Sequence, residues 1–425
     1  YSNELPAVVI SLSFPGGRLI EQMEPSKAGL ANLFAEMMNE DTKRRSAEEM
    51  SMALDKLGSS ISFSSDLDEF VVNIRTLSKN INPTLDLLME KLNSPEFSER
   101  TFSRIKNQYL ENLRNAKSRA ANMASLAYNK VLYPAEFMLS KPSSGTLSSL
   151  ESIKLPDIQN VYETYFGRSN MQVVIVGEFS SKDVQGLKDK LSQMKEARRK
   201  PTSENLALDI PNNESKTIHV VNIPKAAQTE FRIGNHTGLT YDATGPYYEA
   251  TLMNFLLGGA FNSRINLNLR EEKGWTYGAR SNFSSNKYLG TFTFSSGIKT
   301  PATDSALSEV MREMNEYVQK GINEEELSFL KNAIGQSEAR KYETMFQKAG
   351  FLANILKYQL SSKYTEDQNN LLKRMNTADI KRLAENYIHP ESMYIVLAGD
   401  LEKIKPGLEK MGYKVVEMNA DELIR

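Results

Sequence analysis

Few residues in this chain can do chemistry, and they fall in two places. There is no cysteine, and there are three histidines, His219, His236 and His389. Thiolate catalysis, disulfides, Cys-ligated zinc and iron–sulfur clusters are therefore excluded. No two histidines lie close enough to make a His-x-x-His or His-x-x-x-His helix site. Each reads as an ordinary strand or loop histidine. The first place is residues 257–278, LGGAFNSRINLNLREEKGWTYG. Gly258 and Gly259 permit a tight turn and close backbone approach. Ser263 can cap a short helix whose Phe261, Ile265 and Leu269 face the core. Arg270 ends that helix, and Gly274 turns the chain into a strand opening at Tyr277. A guanidinium and a phenol brought together across this turn are convergent donors, able to grip a peptide carbonyl or a tetrahedral oxyanion. The plainer alternative is that Arg270 pairs with Glu271, Glu272 or another acid, while Tyr277 packs as a strand aromatic. A phosphate loop is excluded, because no Gly-Lys-Ser/Thr follows the glycines.

The second place is residues 28–38, AGLANLFAEMM. Leu30, Leu33, Phe34, Met37 and Met38 recur at helical spacing and predict one buried face. Asn32, Ala35 and Glu36 are interleaved with them. A helix over about 26–39 is expected, preceded by a strand over 7–13 and followed by a Ser46-capped helix with Glu48 and Glu49 in its first turn. Strands near 60–65 and 69–76 come next, then helices near 79–92, 97–119 and 121–133. In the second half, strands near 216–222 and 228–234 precede a helix at about 245–257. After Tyr277 come a strand at 288–297 and helices near 302–319, 323–341 and 344–361. Grouped strands followed by grouped helices predict an α+β fold, with mostly antiparallel sheets and helices packed on one face.

An internal repeat divides the chain. Residues 157–179 and 379–401 align without a gap. They share Asp157/Asp379, Ile158/Ile380, Glu163/Glu385, Tyr165/Tyr387, Met171/Met393, Val174/Val396 and Gly177/Gly399. Each copy reads as an Asp-capped helix, a turn, a buried strand and a Gly-acid exit. The chain therefore reads as two homologous tandem domains, 1–200 and 215–425, joined by a polar linker at 195–215.

The 257–278 stretch resembles the second-domain signature of the pitrilysin/insulinase family of zinc peptidases, the inverzincins. In that family an Arg and a Tyr spaced like Arg270 and Tyr277 hold substrate backbone near the zinc. The family's metal motif is His-x-x-Glu-His on the first helix of the first domain. Its two His share a helix face, and its Glu is general base to the metal-bound water. Here Gly29-Leu30-Ala31 matches the usual lead into that helix. Asn32 stands for the first His, Ala35 for the base and Glu36 for the second His. An amide and one carboxylate make a poor zinc pair, and alanine takes no proton. The family's third ligand, a Glu on a later helix, points to residues 109–113. Glu111 is the candidate remnant there, or else a solvated carboxylate paired with Arg114.

The resemblance covers about residues 7–405 and implies a zinc-free, non-catalytic unit. Such a unit binds peptide and supplies Arg270 and Tyr277 to the active site of a zinc-bearing partner. That partner would be a homologous subunit or a fused N-terminal half, so zinc is expected there and not on this chain. The chain's abrupt start at Tyr1 and the absence of a leading strand before residues 6–13 read as a processed or excised unit. One alternative is a structural member without a role in proteolysis. Another is an independent peptidase with a metal site built from Asn32, Glu36 and Glu111. Bacterial cytoplasm and periplasm are both open. A net charge of −1, from 52 basic and 53 acidic residues, gives no bulk attraction for nucleic acid or anionic membrane. No apolar run is long enough for a membrane span.

Overall fold

The computed structural model describes residues 6–202, 206, 213, 216–337 and 339–425. The expected linker at 195–215 therefore lies in large part outside the described residues.

Ten strands form two sheets. β1 (Ala7–Pro15), β2 (Ser60–Ser65), β3 (Glu69–Leu77) and β4 (Gln172–Gly177) make the first, in the order β2-β3-β1-β4. All of its pairings are antiparallel. β5 (Thr217–Asn222), β6 (Gln228–His236), β7 (Thr276–Ser285), β8 (Gly290–Lys299), β9 (Tyr394–Gly399) and β10 (Lys414–Met418) make the second, ordered β10-β5-β9-β6-β8-β7. Its four strands β7-β8-β6-β9 repeat the first sheet's order. β5 and β10 extend it beyond β9 by parallel pairing. The sequence repeat lands on equivalent elements: helix Leu155–Thr164 with β4, and helix Thr377–Tyr387 with β9. Asp157 and Asp379 play the same part in the two copies. Each carboxylate accepts an N-cap amide, from Lys154 at 2.8 Å and from Asn376 at 3.1 Å.

The helices that matter for the sites are α1 (Leu30–Asn39), α2 (Ile81–Asn93), α3 (Glu99–Ala116), α4 (Ala120–Leu132), α5 (Pro246–Asn254), α6 (Thr303–Lys320) and α7 (Met345–Tyr358). In α1 the predicted stripe of Leu30, Leu33, Phe34, Met37 and Met38 is buried. The helix begins four residues later than its pattern suggests. Gly29 sits at φ +92°, and residues Pro25–Lys27 make a separate 3-10 turn. Both ends of α1 are held by buried charges. Glu21, itself paired with Arg18 at 3.0 Å, accepts the Gly29 and Ala31 amides at 3.1 Å each. Lys91 on α2 donates to the Met38, Asn39 and Glu40 carbonyls at 3.4, 2.8 and 3.2 Å. A carboxylate at the N-terminus and an ammonium at the C-terminus satisfy groups the helix leaves unpaired, and both oppose its dipole.

Two further helices cross between the halves. α4 belongs to the first half by sequence, but its Met123, Ala124, Ala127 and Tyr128 pack on Val221, Val396 and Ala398 of the second sheet. Reciprocally, Ala349 of α7 packs on Val9 and Val174 of the first sheet. This explains why β9, YIVLAG, is apolar on both faces: each face meets a helix layer. At the end of α7, Lys357 reaches back to Asp68 at 2.8 Å and Glu69 at 2.7 Å.

Candidate functional site

The stretch around Arg270 and Tyr277 is built onto the edge strand β7. After α5 the helix widens into a π turn, Phe255–Gly259. Gly258 is needed there because a Cβ would lie 2.2 Å from the Ser281 hydroxyl on β7. A one-turn helix, Arg264–Asn266, then opens into a second π turn, Leu267–Glu272, which carries Arg270. Gly274, at φ +64°, reverses the chain into β7. Ile265 and Leu269 are fully buried, as their spacing predicts.

Two details of that prediction are corrected. Phe261 is 53% exposed rather than in the core, because it precedes the helix start. Its ring instead lies beneath the Arg270 guanidinium, 4.5 Å from centroid to carbon. Ser263 occupies the N-cap position, but its side chain makes no cap bond. Its hydroxyl is buried without a partner.

Arg270 is only loosely engaged by the acids beside it. Glu271 lies 3.4 Å from Nη1, outside hydrogen-bond alignment, so this buried nitrogen has no acceptor. Tyr277 does not pack as a strand aromatic: it is 89% exposed. The cause is a bulge in the β7–β8 pairing between Thr276 and Ala279. The bulge is pinned from within. The Thr276 hydroxyl accepts the Gly278 amide at 3.0 Å, and the Ser296 hydroxyl donates to the Gly278 carbonyl at 2.9 Å. Among the described residues Arg270 and Tyr277 share no hydrogen bond, so each is presented separately, one stacked and one free.

The edge of β7 is closed to strand addition just beyond the bulge. Asn266 accepts the Ala279 amide at 2.9 Å, Asn254 donates to the Ser281 carbonyl at 2.7 Å, and Tyr247 donates to the Phe283 carbonyl at 3.3 Å. The first sheet repeats the device. Asn39, the last residue of α1, accepts the Phe63 amide of β2 at 2.8 Å and donates to its carbonyl at 3.0 Å. Asn254 is likewise the last residue of α5. Sequence reasoning missed these asparagines; a polar residue ending an apolar-striped helix was the available signal.

On α1, Asn32 and Glu36 line a cleft of about 310 Å³ opposite α3. Ala35 is buried and does not line the cleft. Glu111 is not part of this wall. It is exposed and pairs with Arg114 at 2.7 Å, because α3 turns Arg104, Gln108, Tyr109 and Asn112 toward the cleft instead. The groups facing Asn32 and Glu36 are thus amides, a phenol and a guanidinium. Burial, with the neighbouring charge of Glu40, raises the Glu36 carboxyl above its ordinary pKa. The carboxylates here are Glu36 and Glu40, the latter held by Arg104 at 2.6 Å; with no imidazole and no base at Ala35, this donor set does not fit catalytic zinc.

The histidines are dispersed. His236 bonds the Leu132 carbonyl at 2.9 Å and His389 the Asn386 carbonyl at 3.0 Å, while His219 is half-buried on β5. The one carboxylate group among the described residues dense enough for a metal is Asp66, Asp68 and Glu69. The Lys357 ammonium already sits among all three.

Two family models match in tandem: the insulinase family, peptidase family M16, over residues 2–136, and the peptidase M16 inactive domain over residues 152–334. The chain belongs to the insulinase family of peptidases. Among its relatives is a Helicobacter pylori protein described as a non-peptidase homolog, YmxG. It is 23% identical over 94% of this chain and 91% of its own length. A Bacillus subtilis protein described as a probable inactive metalloprotease, YmfF, is 22% identical over 49% of this chain and 47% of its own. The fold matches the crystal structure of a peptidase M16 inactive domain from Pseudomonas fluorescens. That match has a TM-score of 0.81 at 24% identity and covers 93% of each chain. The periplasmic protease PqqL from Escherichia coli matches with a TM-score of 0.75, over 93% of this chain but 43% of its own. The chain is an M16-type member with mixed helix and sheet. No helix among the described residues is long and apolar enough to cross a membrane.

Proposed function

We propose that this chain is a zinc-free unit that holds flexible peptide and presents Arg270 and Tyr277 to the active site of a zinc-bearing homologous unit. One contrast carries the reading. The helix for the metal motif is kept, with both ends capped by buried charges, while its chemical positions hold Asn32, Ala35 and Glu36. The donor pair, by contrast, is intact. Phe261 fixes the plane of the Arg270 guanidinium, whose Nη1 lacks an acceptor, and a pinned bulge projects the Tyr277 phenol into solvent. A guanidinium stacked on Phe261 and a solvent-exposed phenol are donors suited to a peptide carbonyl whose oxygen gains charge during hydrolysis. This unit contributes binding and orientation; the metal-bound water and the base belong to the partner.

The experiment is turnover of an unstructured peptide by the chain reconstituted with a zinc-bearing M16 homologue. Arg270→Ala and Tyr277→Phe are each expected to lower kcat/KM by about tenfold or more, with zinc content and assembly unchanged. Unchanged turnover in both variants contradicts the reading.

A further inference from the structure

We propose that the cleft between α1 and α3, where a metal would have sat, is a binding site for an alkylammonium group: a lysine side chain or the amino terminus of a peptide. The peptide context rests on the reading above; the ligand chemistry rests on the cleft itself.

Charge comes first. Three ionised side chains line the cleft: Glu36, Glu40 and Arg104. Arg104 holds Glu40 at 2.6 Å, so those two charges cancel. Glu36 has neither an ion pair nor a hydrogen bond among the described residues, which leaves one unopposed negative charge. The raised Glu36 pKa agrees with a carboxylate partly screened from water, beside Glu40 and with no counter-charge of its own. Acceptors come second. Asn32, Gln108, Tyr109, Asn112 and Ser144 also line the cleft, and none of their side chains has a hydrogen-bond partner among the described residues. An ammonium carries three donors and no acceptor. One carboxylate ringed by amide and hydroxyl oxygens can take all three.

Size and rigidity complete the case. A volume of about 310 Å³ accommodates one side-chain tip and little more. The α1 wall is fixed at both ends through Glu21 and Lys91, and Asn39 ties it to β2. A divalent metal is the poorer occupant. The net charge is a single unit, and Arg104 stands in the same wall.

The test is calorimetric titration of the full chain with three probes. These are acetyl-Ala-Ala-Lys-Ala-Ala-amide, its Nε-acetyllysine counterpart, and Ala-Ala-Ala-Ala-Ala-amide with a free amino terminus. The first or the third is expected to bind, and which one does so identifies the source of the ammonium. Affinity for that probe should fall about tenfold or more in Glu36→Gln. Glu36 is exposed, so circular dichroism should show Glu36→Gln folded. Three results overturn the proposal: no binding of either ammonium probe at millimolar concentration, binding of the acetyllysine probe as tight as that of the ammonium probe that binds, or equal binding by wild type and Glu36→Gln. If binding is lost in Arg270→Ala and kept in Glu36→Gln, the cleft assignment fails while the Arg270 reading stands.

Discussion

Asn266 accepts the amide proton of Ala279 at 2.9 Å, tying the turn that carries Arg270 to the strand that carries Tyr277. The same side chain donates to the Phe261 carbonyl at 2.7 Å, just where the ring beneath Arg270 leaves the backbone. It is buried, and it bridges the two halves of the proposed donor site without belonging to either.

Replacing Asn266 by Ala leaves the Ala279 amide and the Phe261 carbonyl without these partners. The expected cost is about 1–3 kcal/mol, measured as a lower urea midpoint. Amide exchange at Ala279 should accelerate more than exchange along β8. Equal protection of Ala279 in variant and wild type would show that the bridge does not hold the bulge.

Lys91 gives a pH signature. Burial lowers its pKa to about 8, against the opposing pull of Glu40, Asp41 and Glu90. Between about pH 8 and the ordinary lysine value, the unfolded chain holds the proton and the folded chain has released it. Stability from this group therefore rises with pH through that window, and it is flat below, where both states are charged. Lys91→Met is expected to be less stable near pH 7, where the α1 carbonyls lose their donor. It should also lack this rise between pH 8 and 10. Parallel stability curves for variant and wild type would refute the assignment.

The contact of Lys357 with Asp68 and Glu69 joins the end of α7 to the β2–β3 turn. Burial alone would lower the Lys357 pKa; bonding to Asp68 and Glu69 outweighs it and raises the value. Removing Lys357 leaves Asp66 and Glu69 without a cation and Asp68 with only the half-exposed Lys287 at 3.4 Å. Lys357→Met should cost about 3 kcal/mol by urea denaturation. Adding Asp68→Asn should recover part of that loss. A double variant as unstable as the sum of the two singles would mean the groups are not coupled.

Local patterns carried much of this fold. The α1 stripe is buried as spaced, Ser46 forms a capping box with Glu49, and the 157/379 repeat falls on matching helices and strands. What was hidden depends on contacts distant in sequence. α4 and α7 each pack on the other half's sheet, and nothing in their own periodicity names that target. Glu21 and Lys91 cap α1 from outside it, and only the fold brings them there. Of the two readings of Glu111, the structure bears out the solvated carboxylate paired with Arg114 rather than the ligand remnant, because neighbouring positions on a helix face different directions. Phe261 read as core because its spacing continues the helix pattern, although the helix starts after it. The placement of Asn32, Ala35 and Glu36 on a kept helix needed only the motif's spacing.

The most direct test is zinc content by elemental analysis of the purified chain, after equilibration with excess zinc and desalting. The account predicts essentially no bound zinc, because α1 offers an amide, a methyl and one carboxylate where the metal motif needs two imidazoles and a base. One zinc per chain, lost in Glu36→Gln, would contradict it and restore a metal site to this helix.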